Sequence, residues 1–274
     1  MWFIFYLSSY VLFLKLKSHS MKFKTMMPGI MASTLLLSLS LVSCQKESVS
    51  TPQTQQQDAD ENAEITQTVD AATGITILSI RPGAGGQDAY VAYWQGDAAW
   101  ANANQDWAQE LSMCSWTNSG LPMTVRSFIR FPGISRLPAG AQIVSANLFL
   151  YGKGSSISAP QGNSAYPGSP YNTDNSCKVE RVTGKQWKEN TITWNTQPAI
   201  TTQDASVIPP SNSQWSYNAK VDVTNMVKAM AADLTKNYGF RISLVNETIY
   251  RSLIFASSEN TNPALRPKLV IRYQ

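Results

Sequence analysis

The stretch "RSFIRFPGISRLPAGAQIVSANLFLYG" (residues 126–152) contains two alternating segments, separated by a turn rich in Pro, Ala and Gly. In the second segment every even-numbered residue from Val144 to Leu150 is apolar, whereas Ser145 and Asn147 occupy odd positions. Successive side chains of a strand point to opposite faces, so this pattern predicts a β-strand with one core face and one wetter face.

Similar segments extend on both sides of this stretch. Only "DVTNMVKAMAADLTKN" (222–237) has apolar residues at helical spacing, with Thr224 as a candidate N-terminal cap. Many short strands and one short helix predict an all-β fold, an antiparallel β-sandwich of the jelly-roll type, as a single domain over residues 74–274. The predicted strands are 76–80, 88–94, 110–116, 124–131, 142–152, 177–182, 191–195, 216–223, 238–245, 251–258 and 267–273.

Upstream of this domain, Lys22 and Lys24 precede an apolar run that ends in "LVSC" at Cys44. A basic segment, a short apolar run and a small residue at the cleavage site are typical of a secretory signal peptide. The Cys after the small residue resembles the lipobox of bacterial lipoproteins. That resemblance implies cleavage before Cys44, lipidation of Cys44, export, and a membrane contact made only through the lipid, at the bacterial outer membrane. An ordinary signal peptide that carries a Cys is the alternative.

The leader therefore covers residues 1–43, and its first part has a second interpretation. Residues 1–20 form an additional hydrophobic segment, and Met21 is a more natural start than Met1 because two lysines then lie at the N-terminus. A misassigned start and a longer signal region both remain open. Residues 44–73 comprise the lipidated Cys and a polar segment rich in Gln, Ser and Thr, which we expect to be a disordered tether.

The leader also accounts for the positive charge of the chain. It holds four of the 22 basic residues and none of the 18 acidic ones, so the remainder is neutral, and no block of Lys or Arg indicates nucleic-acid binding. The single histidine, His19, lies in the leader too. The exported chain is thus predicted to contain no His-based triad, dyad or zinc site.

Two cysteines, Cys114 and Cys177, remain after the leader, in strand-like contexts. A disulfide bridge between them is one prediction, since exported proteins meet an oxidising setting. Two separate buried thiols are the alternative.

Several motifs resemble those of DNRLRE-domain proteins, in the right order and over nearly all of residues 75–274. The stretch at 126–152 looks like one signature, although Phe131-Pro132-Gly133 replaces the usual Phe-Asp-Leu. The others are "WKENTITWNTQP" (187–198), "VDVTNMVKAM" (221–230), "NYGFRISL" (237–244) and "FASSENTNPALRPKLVIRY" (255–273). These proteins are similar to carbohydrate-binding module family 96. The resemblance implies a noncatalytic jelly-roll module that binds polysaccharides, with acidic ones of the alginate type as the expected ligands.

Basic strand residues are the first candidates for binding an acidic glycan. Arg126 and Arg130 share one strand face, roughly 13 Å apart at about 3.3 Å per residue, and guanidinium groups pair bidentately with uronate carboxylates. Arg241 and Lys268 are further candidates. In the alternative, the arginines pair with Glu180, Asp222 or Glu259 across the sheet and are structural.

Trp100 and Trp107 are the second kind of candidate, because they lie in the polar, loop-like segment "GDAAWANANQDWAQE" (96–110). Indole faces stack on sugar rings. A role in the core is the alternative. We expect no cofactor except a structural Ca²⁺, for which the oxygen-rich "NTDN" (172–175) and "ENTN" (259–262) are candidate ligands. Simple turn chemistry is the alternative for both clusters.

Three classes of function follow. The first is a lipid-anchored, noncatalytic module that binds polysaccharide. The second is a structural or adhesive surface protein that binds other proteins or matrix, for which a flat apolar patch would be typical. The third is a glycan-cleaving enzyme that uses paired carboxylates or Tyr, and it would need those groups in a cleft.

Overall fold

The computed structural model describes residues 63–83 and 86–274. The predicted leader, Cys44 and most of the predicted tether lie outside these residues.

The described residues form twelve β-strands and one α-helix, and short 3₁₀-helices lie in several connections. No helix in this part of the chain is long and apolar enough to cross a bilayer. The strands are β1 (Glu64–Val69), β2 (Thr76–Arg81), β3 (Gln87–Trp94), β4 (Glu110–Asn118), β5 (Leu121–Arg130), β6 (Ile143–Leu150), β7 (Cys177–Val182), β8 (Ile200–Ile208), β9 (Ala219–Asp222), β10 (Phe240–Leu244), β11 (Arg251–Ala256) and β12 (Lys268–Tyr273). The helix, α1, covers Thr224–Ala231 and lies between β9 and β10.

The strands form two antiparallel sheets, which confirms the predicted all-β sandwich with one short helix. One sheet has the order β1-β2-β12-β6-β9. The other has seven strands in the order β11-β4-β5-β10-β7-β8, with β3 paired to β5 as well. Apolar residues from both sheets meet in the main core, such as Leu148 and Ile271 from the first and Ile242 and Phe255 from the second. The predicted core face of β6 is confirmed for Ala146, Leu148 and Leu150, whereas Val144 is exposed because the register shifts at this end of the strand.

The predicted tether ends earlier than the sequence indicated, because residues 64–69 form β1 and pair with β2. The boundary at residue 73 is wrong by about ten residues. Most side chains of β1 are exposed, and Ile65 is the one that packs against the core. An edge strand of this kind is held by backbone hydrogen bonds, which composition does not report.

Two other local predictions need correction. Residues 191–195 are not a strand: they form a turn and enter a 3₁₀-helix at Trp194, with hydrogen bonds between Thr193 and Thr196 closing the turn. The strand in this part of the chain is β8, whose largely exposed residues lack an alternating pattern. Thr224 is the first residue of α1 rather than its cap, and Asp222 Oδ1 accepts its N–H.

The cysteines are both free and fully buried, so the structure has no Cys114–Cys177 bridge. Cys114 lies in β4 and Cys177 in β7, and they pack in different apolar clusters. Burial raises the pKa of the Cys114 thiol to about 12 and that of Cys177 well above its usual range. The two residues behave as small apolar side chains, which is the alternative that the sequence left open.

Candidate functional site

A cleft of about 410 Å³ opens beside β3, β4 and β5, and aromatic rings dominate its lining. Trp100 comes from a 3₁₀-helix, Trp107 from the turn that follows it, and Trp116 from β4. Tyr90 of β3 adds a fourth ring and is almost fully buried. We call this surface, defined by these four rings, the aromatic cleft.

Strand register and local capping position the rings. Trp116 of β4 lies directly opposite Met123 of β5, and both residues line the cleft. Asp97 accepts a hydrogen bond from the Ala99 N–H and closes the turn that carries Trp100. The Trp100 ring also packs edge-on against Trp94, with 5.6 Å between the centroids.

Trp107 differs from the other three rings in its exposure. Its side chain is 56% exposed, whereas Trp100 and Trp116 are half-buried. A large ring that is open to solvent in a concave surface is available for stacking without any rearrangement of the core.

The long loop between β6 and β7 forms another wall of the cleft, and the buried carboxylate of Glu110 anchors it. Glu110 accepts hydrogen bonds from Lys153 Nζ at 2.9 Å, Ser156 Oγ at 3.0 Å and the Ser158 N–H at 2.9 Å. Burial alone would raise the pKa of Glu110, but the hydrogen bonds from Ser158 and Lys153 outweigh it and lower the pKa. The loop contributes Ile157, Ser158, Pro160 and Gln161 to the lining.

Two tyrosines extend the aromatic surface beyond the cleft. Tyr171 and Tyr250 stack with 6.0 Å between centroids, and both rings lie nearly perpendicular to the Trp116 ring, at 80° and 85°. Both rings are about two-fifths exposed, at 40% and 41%. Tyr250 has a φ of 69°, a left-handed conformation that is uncommon and strained for a bulky residue. We call Tyr171 and Tyr250 the tyrosine pair.

The lining of the aromatic cleft contains no Asp, Glu, Lys or Arg among the residues that the structure describes. Its polar groups are the amides and hydroxyls of Gln105, Gln161, Asn118, Thr117 and Ser158. Burial, and then the nearby Glu110 charge, raise the pKa of Tyr90 to about 12, so its phenol keeps its proton at neutral pH. The cleft therefore suits a ligand with apolar faces and uncharged hydroxyl edges.

Arg126, a predicted binding residue, already has an internal partner. Its guanidinium donates two hydrogen bonds to the carboxylate of Glu247, both of 2.7 Å, and lies 4.5 Å from the centre of the Trp194 ring. The side chain is 23% exposed. The sequence suggested structural pairing with other carboxylates, and the partner that the structure provides is Glu247.

Arg130 and Arg241 flank the same region of β5 and β10 and are engaged too. Arg130 donates to the Asn237 carbonyl at 2.8 Å and to Gln87 Oε1 at 2.9 Å. Arg241 donates through two nitrogens to Glu180, whose side chain is fully buried. We call the side of β5 and β10 that carries Arg126, Arg130 and Arg241 the arginine face.

Lys268 belongs to the other sheet, in β12, where its Nζ lies 5.0 Å from the centre of the Phe149 ring. The structure thus brings Trp100 and Trp107 together in one cleft. It places three arginines on a separate face and leaves Lys268 apart from both groups.

Three carboxylates that do not line the aromatic cleft form a cluster of their own. One oxygen each from Asp88, Glu189 and Glu259 lies within 4.8 Å of the others. Burial, and then the charge of Glu259, raise the pKa of Asp88 well above its usual range and that of Glu189 to about 9. Glu259 was one of the residues in the predicted oxygen-rich cluster 259–262.

The other oxygen-rich cluster, residues 172–175, makes turns. Asp174 Oδ1 accepts hydrogen bonds from the N–H and hydroxyl of Ser176, and Asn172 has a left-handed φ of 43°. Asn175 is buried and donates to Ser211 and to the Ser252 carbonyl. Local turn chemistry therefore accounts for these side chains.

Comparison with known proteins gives the architecture a family. The family model of carbohydrate-binding module family 96 matches residues 84–273, which include every residue of the aromatic cleft and the carboxylate cluster. The chain belongs to carbohydrate-binding module family 96. No curated protein matches it. The similarity to family 96 that the ordered motifs implied is thereby confirmed, and family 96 supports carbohydrate binding by this domain.

Several residues of the site were not among the sequence candidates. Trp116 and Tyr90 lie in predicted strands, where a buried role is the default expectation, although the crowding of aromatics between residues 90 and 116 was a signal. Tyr171 and Tyr250 are far apart in the chain and meet only in the fold. The long loop at 153–175 was the sequence signal that could have pointed to Tyr171.

Proposed function

We propose that this family 96 module binds a polysaccharide chain without cleaving it, with sugar rings stacked on Trp107, Trp100 and Trp116. One observation carries the proposal: the aromatic rings converge on one open cleft, and its described lining is uncharged. Indole rings offer large, rigid apolar faces to sugars, and the amides beside them offer partners for hydroxyl groups.

The lining also bears on the charge of the glycan. Uronates would meet no cation in the described part of the cleft, and the guanidinium groups of the arginine face are committed to Glu247, Glu180 and the backbone. We therefore favour a neutral stretch of polysaccharide as the ligand of the cleft. Acidic glycans of the alginate type remain the second candidate, on the strength of the resemblance stated above.

A binding role without catalysis agrees with the same geometry. Glycoside hydrolysis uses two carboxyl groups about 5–10 Å apart on either side of the bond. The described lining of the cleft offers none, and Tyr90, with its pKa raised to about 12, stays protonated and does not serve as a base at neutral pH. The carboxylate cluster is built from residues that do not line the cleft.

We further propose that the module is exported and attached through a lipid on Cys44 to the outer membrane. The support is the sequence pattern around Cys44. The polar residues between Cys44 and β1 would then hold the module away from the bilayer.

The test is a binding titration of residues 45–274 against neutral glucans, alginate, pectate and a glycosaminoglycan, at low and at high salt. We expect saturable, salt-insensitive binding to a neutral glycan. Trp107→Ala should weaken it about tenfold or more, about 1.4 kcal/mol, with little change in stability because the ring is 56% exposed.

Arg126→Lys is the matched control and should leave this affinity unchanged. Salt-sensitive binding to uronates that is lost in Arg126→Lys would move the site to the arginine face. The absence of binding to any glycan would overturn the proposal and favour an adhesive role.

A further inference from the structure

Three distant segments of the chain bring the carboxylate cluster together. Asp88 lies near the start of β3, Glu189 in the connection between β7 and β8, and Glu259 in the loop after β11. Their nearest oxygens all lie within 4.8 Å of one another. Three like charges at this separation repel strongly unless something neutralises them.

Two buried oxygens of the cluster lack a hydrogen-bond donor among the described residues. Asp88 is 1% exposed, and its Oδ1 has no hydrogen-bond partner; Oε2 of Glu259 is buried and lacks one as well. None of the ion pairs in the described residues involves Asp88, Glu189 or Glu259. Burying a carboxylate oxygen without a partner, beside two other carboxylates, is costly, and a bound cation would remove that cost.

The remaining oxygens of the cluster are held in place by the protein. The Ser258 N–H donates to Asp88 Oδ2 at 2.8 Å, and the Ser258 hydroxyl donates to Glu259 Oε1 at 2.7 Å. The Asp88 N–H is 3.4 Å from Glu189 Oε1. One oxygen of Asp88 and one of Glu259 are thus oriented by Ser258, and the second oxygen of each has no hydrogen-bond partner.

Gly86 allows this approach of β3 to the loop that carries Glu259. A Cβ at this position would lie 2.5 Å from Ser258 Cβ and 2.6 Å from its Oγ. A side chain would therefore displace Ser258, which orients two of the three carboxylates.

The spacing admits one hard cation. Ca²⁺ takes oxygen ligands at about 2.3–2.6 Å, so two of its ligands are at most about 5 Å apart, and the three oxygens within 4.8 Å of one another meet that limit. Mg²⁺ demands near-ideal octahedral geometry and usually keeps several waters, so a set of protein carboxylates favours Ca²⁺. An all-oxygen set without His or Cys is also typical of hard cations rather than of zinc or copper.

We infer that Asp88, Glu189 and Glu259 bind one Ca²⁺ ion, with Asp88 Oδ1 and Glu259 Oε2 as ligands that the fold leaves free for it. The ion joins β3, the segment that carries Trp187 and Trp194, and the loop after β11. Its role is structural, because none of the three carboxylates lines the aromatic cleft. The inference stands apart from glycan binding.

The experiment is a calorimetric titration of CaCl₂ into chelator-treated residues 45–274, with melting temperatures measured in Ca²⁺, in Mg²⁺ and in chelator. We expect one Ca²⁺ per chain and a melting temperature that rises with Ca²⁺, because a ligand that binds only the folded state stabilises it. Asp88→Asn and Glu189→Gln should each weaken Ca²⁺ binding about tenfold or more. Each removes one charged ligand, and Glu189 is half-buried, unlike the fully buried Asp88, so its variant should fold more readily.

Asp204→Asn is the matched control, since Asp204 is exposed, lies outside the cluster and has a φ of 64° that Asn also tolerates. It should bind Ca²⁺ as the unchanged chain does. The competing state of the cluster is a proton shared between Asp88 and Glu259. The absence of Ca²⁺ binding, or equal binding by Asp88→Asn, would favour that state and overturn the inference.

Discussion

The aromatic cleft and the arginine face meet in one strand, since Val125 of β5 lines the cleft and its neighbour Arg126 turns away to Glu247. Both surfaces carry residue types that bind glycans, yet their groups differ in availability. The arginines are half-buried and already hydrogen-bonded, whereas Trp107 is mostly open to solvent.

The difference follows from what each residue type requires once it is partly buried. A guanidinium that loses water must find acceptors, so the fold supplies Glu247, Glu180 and carbonyl groups. An indole ring needs no partner for its faces and can remain unmatched in a cleft. Charged residues in strands are therefore weaker indicators of a ligand site than aromatic residues in loops.

The largest expected effect is on the arginine face. Arg241→Ala leaves the fully buried Glu180 with Lys178 as its one remaining ion-pair partner among the described residues, and should lower the free energy of unfolding by about 3 kcal/mol. Urea unfolding measures this loss. Replacing both partners with Met should recover most of it, because it removes the unpaired charge. If Arg241→Ala instead weakened glycan binding and left the free energy of unfolding unchanged, the arginine would have a binding role and the contrast between the two surfaces would be wrong.

An intermediate effect is expected from Glu110, whose buried carboxylate holds the loop that forms a wall of the cleft. Its pKa is lowered in the folded state, so its stabilisation is complete above the unfolded pKa of about 4.5 and is lost as pH falls through the folded value. Glu110→Gln should therefore destabilise the chain by about 1–3 kcal/mol at pH 7, and by progressively less in acid. Melting temperatures between pH 7 and pH 3 test this. A difference that does not change with pH would contradict the assigned role.

The smallest effect is expected at Tyr250, where two variants distinguish the backbone strain of this residue from the binding of sugar by its ring. In Tyr250→Ala a residue with a Cβ still has to adopt the left-handed backbone conformation, which is strained. In Tyr250→Gly that strain is absent, so the Gly variant should be more stable than the Ala variant by about 1 kcal/mol. Both variants lose the ring and should weaken glycan binding equally, if sugars extend from Trp116 onto this pair. Urea unfolding and the glycan titration measure the two quantities separately. Unchanged affinity in both variants would confine the site to the aromatic cleft.

Parts of the candidate site could be predicted because their signal was local. Trp100 and Trp107 were recognisable as two large rings in a polar segment, and both line the cleft. The tyrosine pair could not be predicted, because Tyr171 and Tyr250 are 79 positions apart in the chain. Tyr250 also has a left-handed φ of 69°, which no sequence pattern indicated. Asp88 and Glu189 lie in unrelated segments, and only Glu259 belonged to a noticeable cluster.

The sequence by itself determined the sandwich, its single helix and the family of the domain, because strand alternation and ordered motifs depend on neighbours along the chain. It also showed that no histidine follows the leader, which excludes histidine-based sites in the rest of the chain. Tertiary structure alone decided which charges were already paired, that β1 extends the sheet toward the N-terminus, and that the cysteines stay apart. Those outcomes depend on which distant segments meet, and on the requirement that buried charges and backbone groups find partners there.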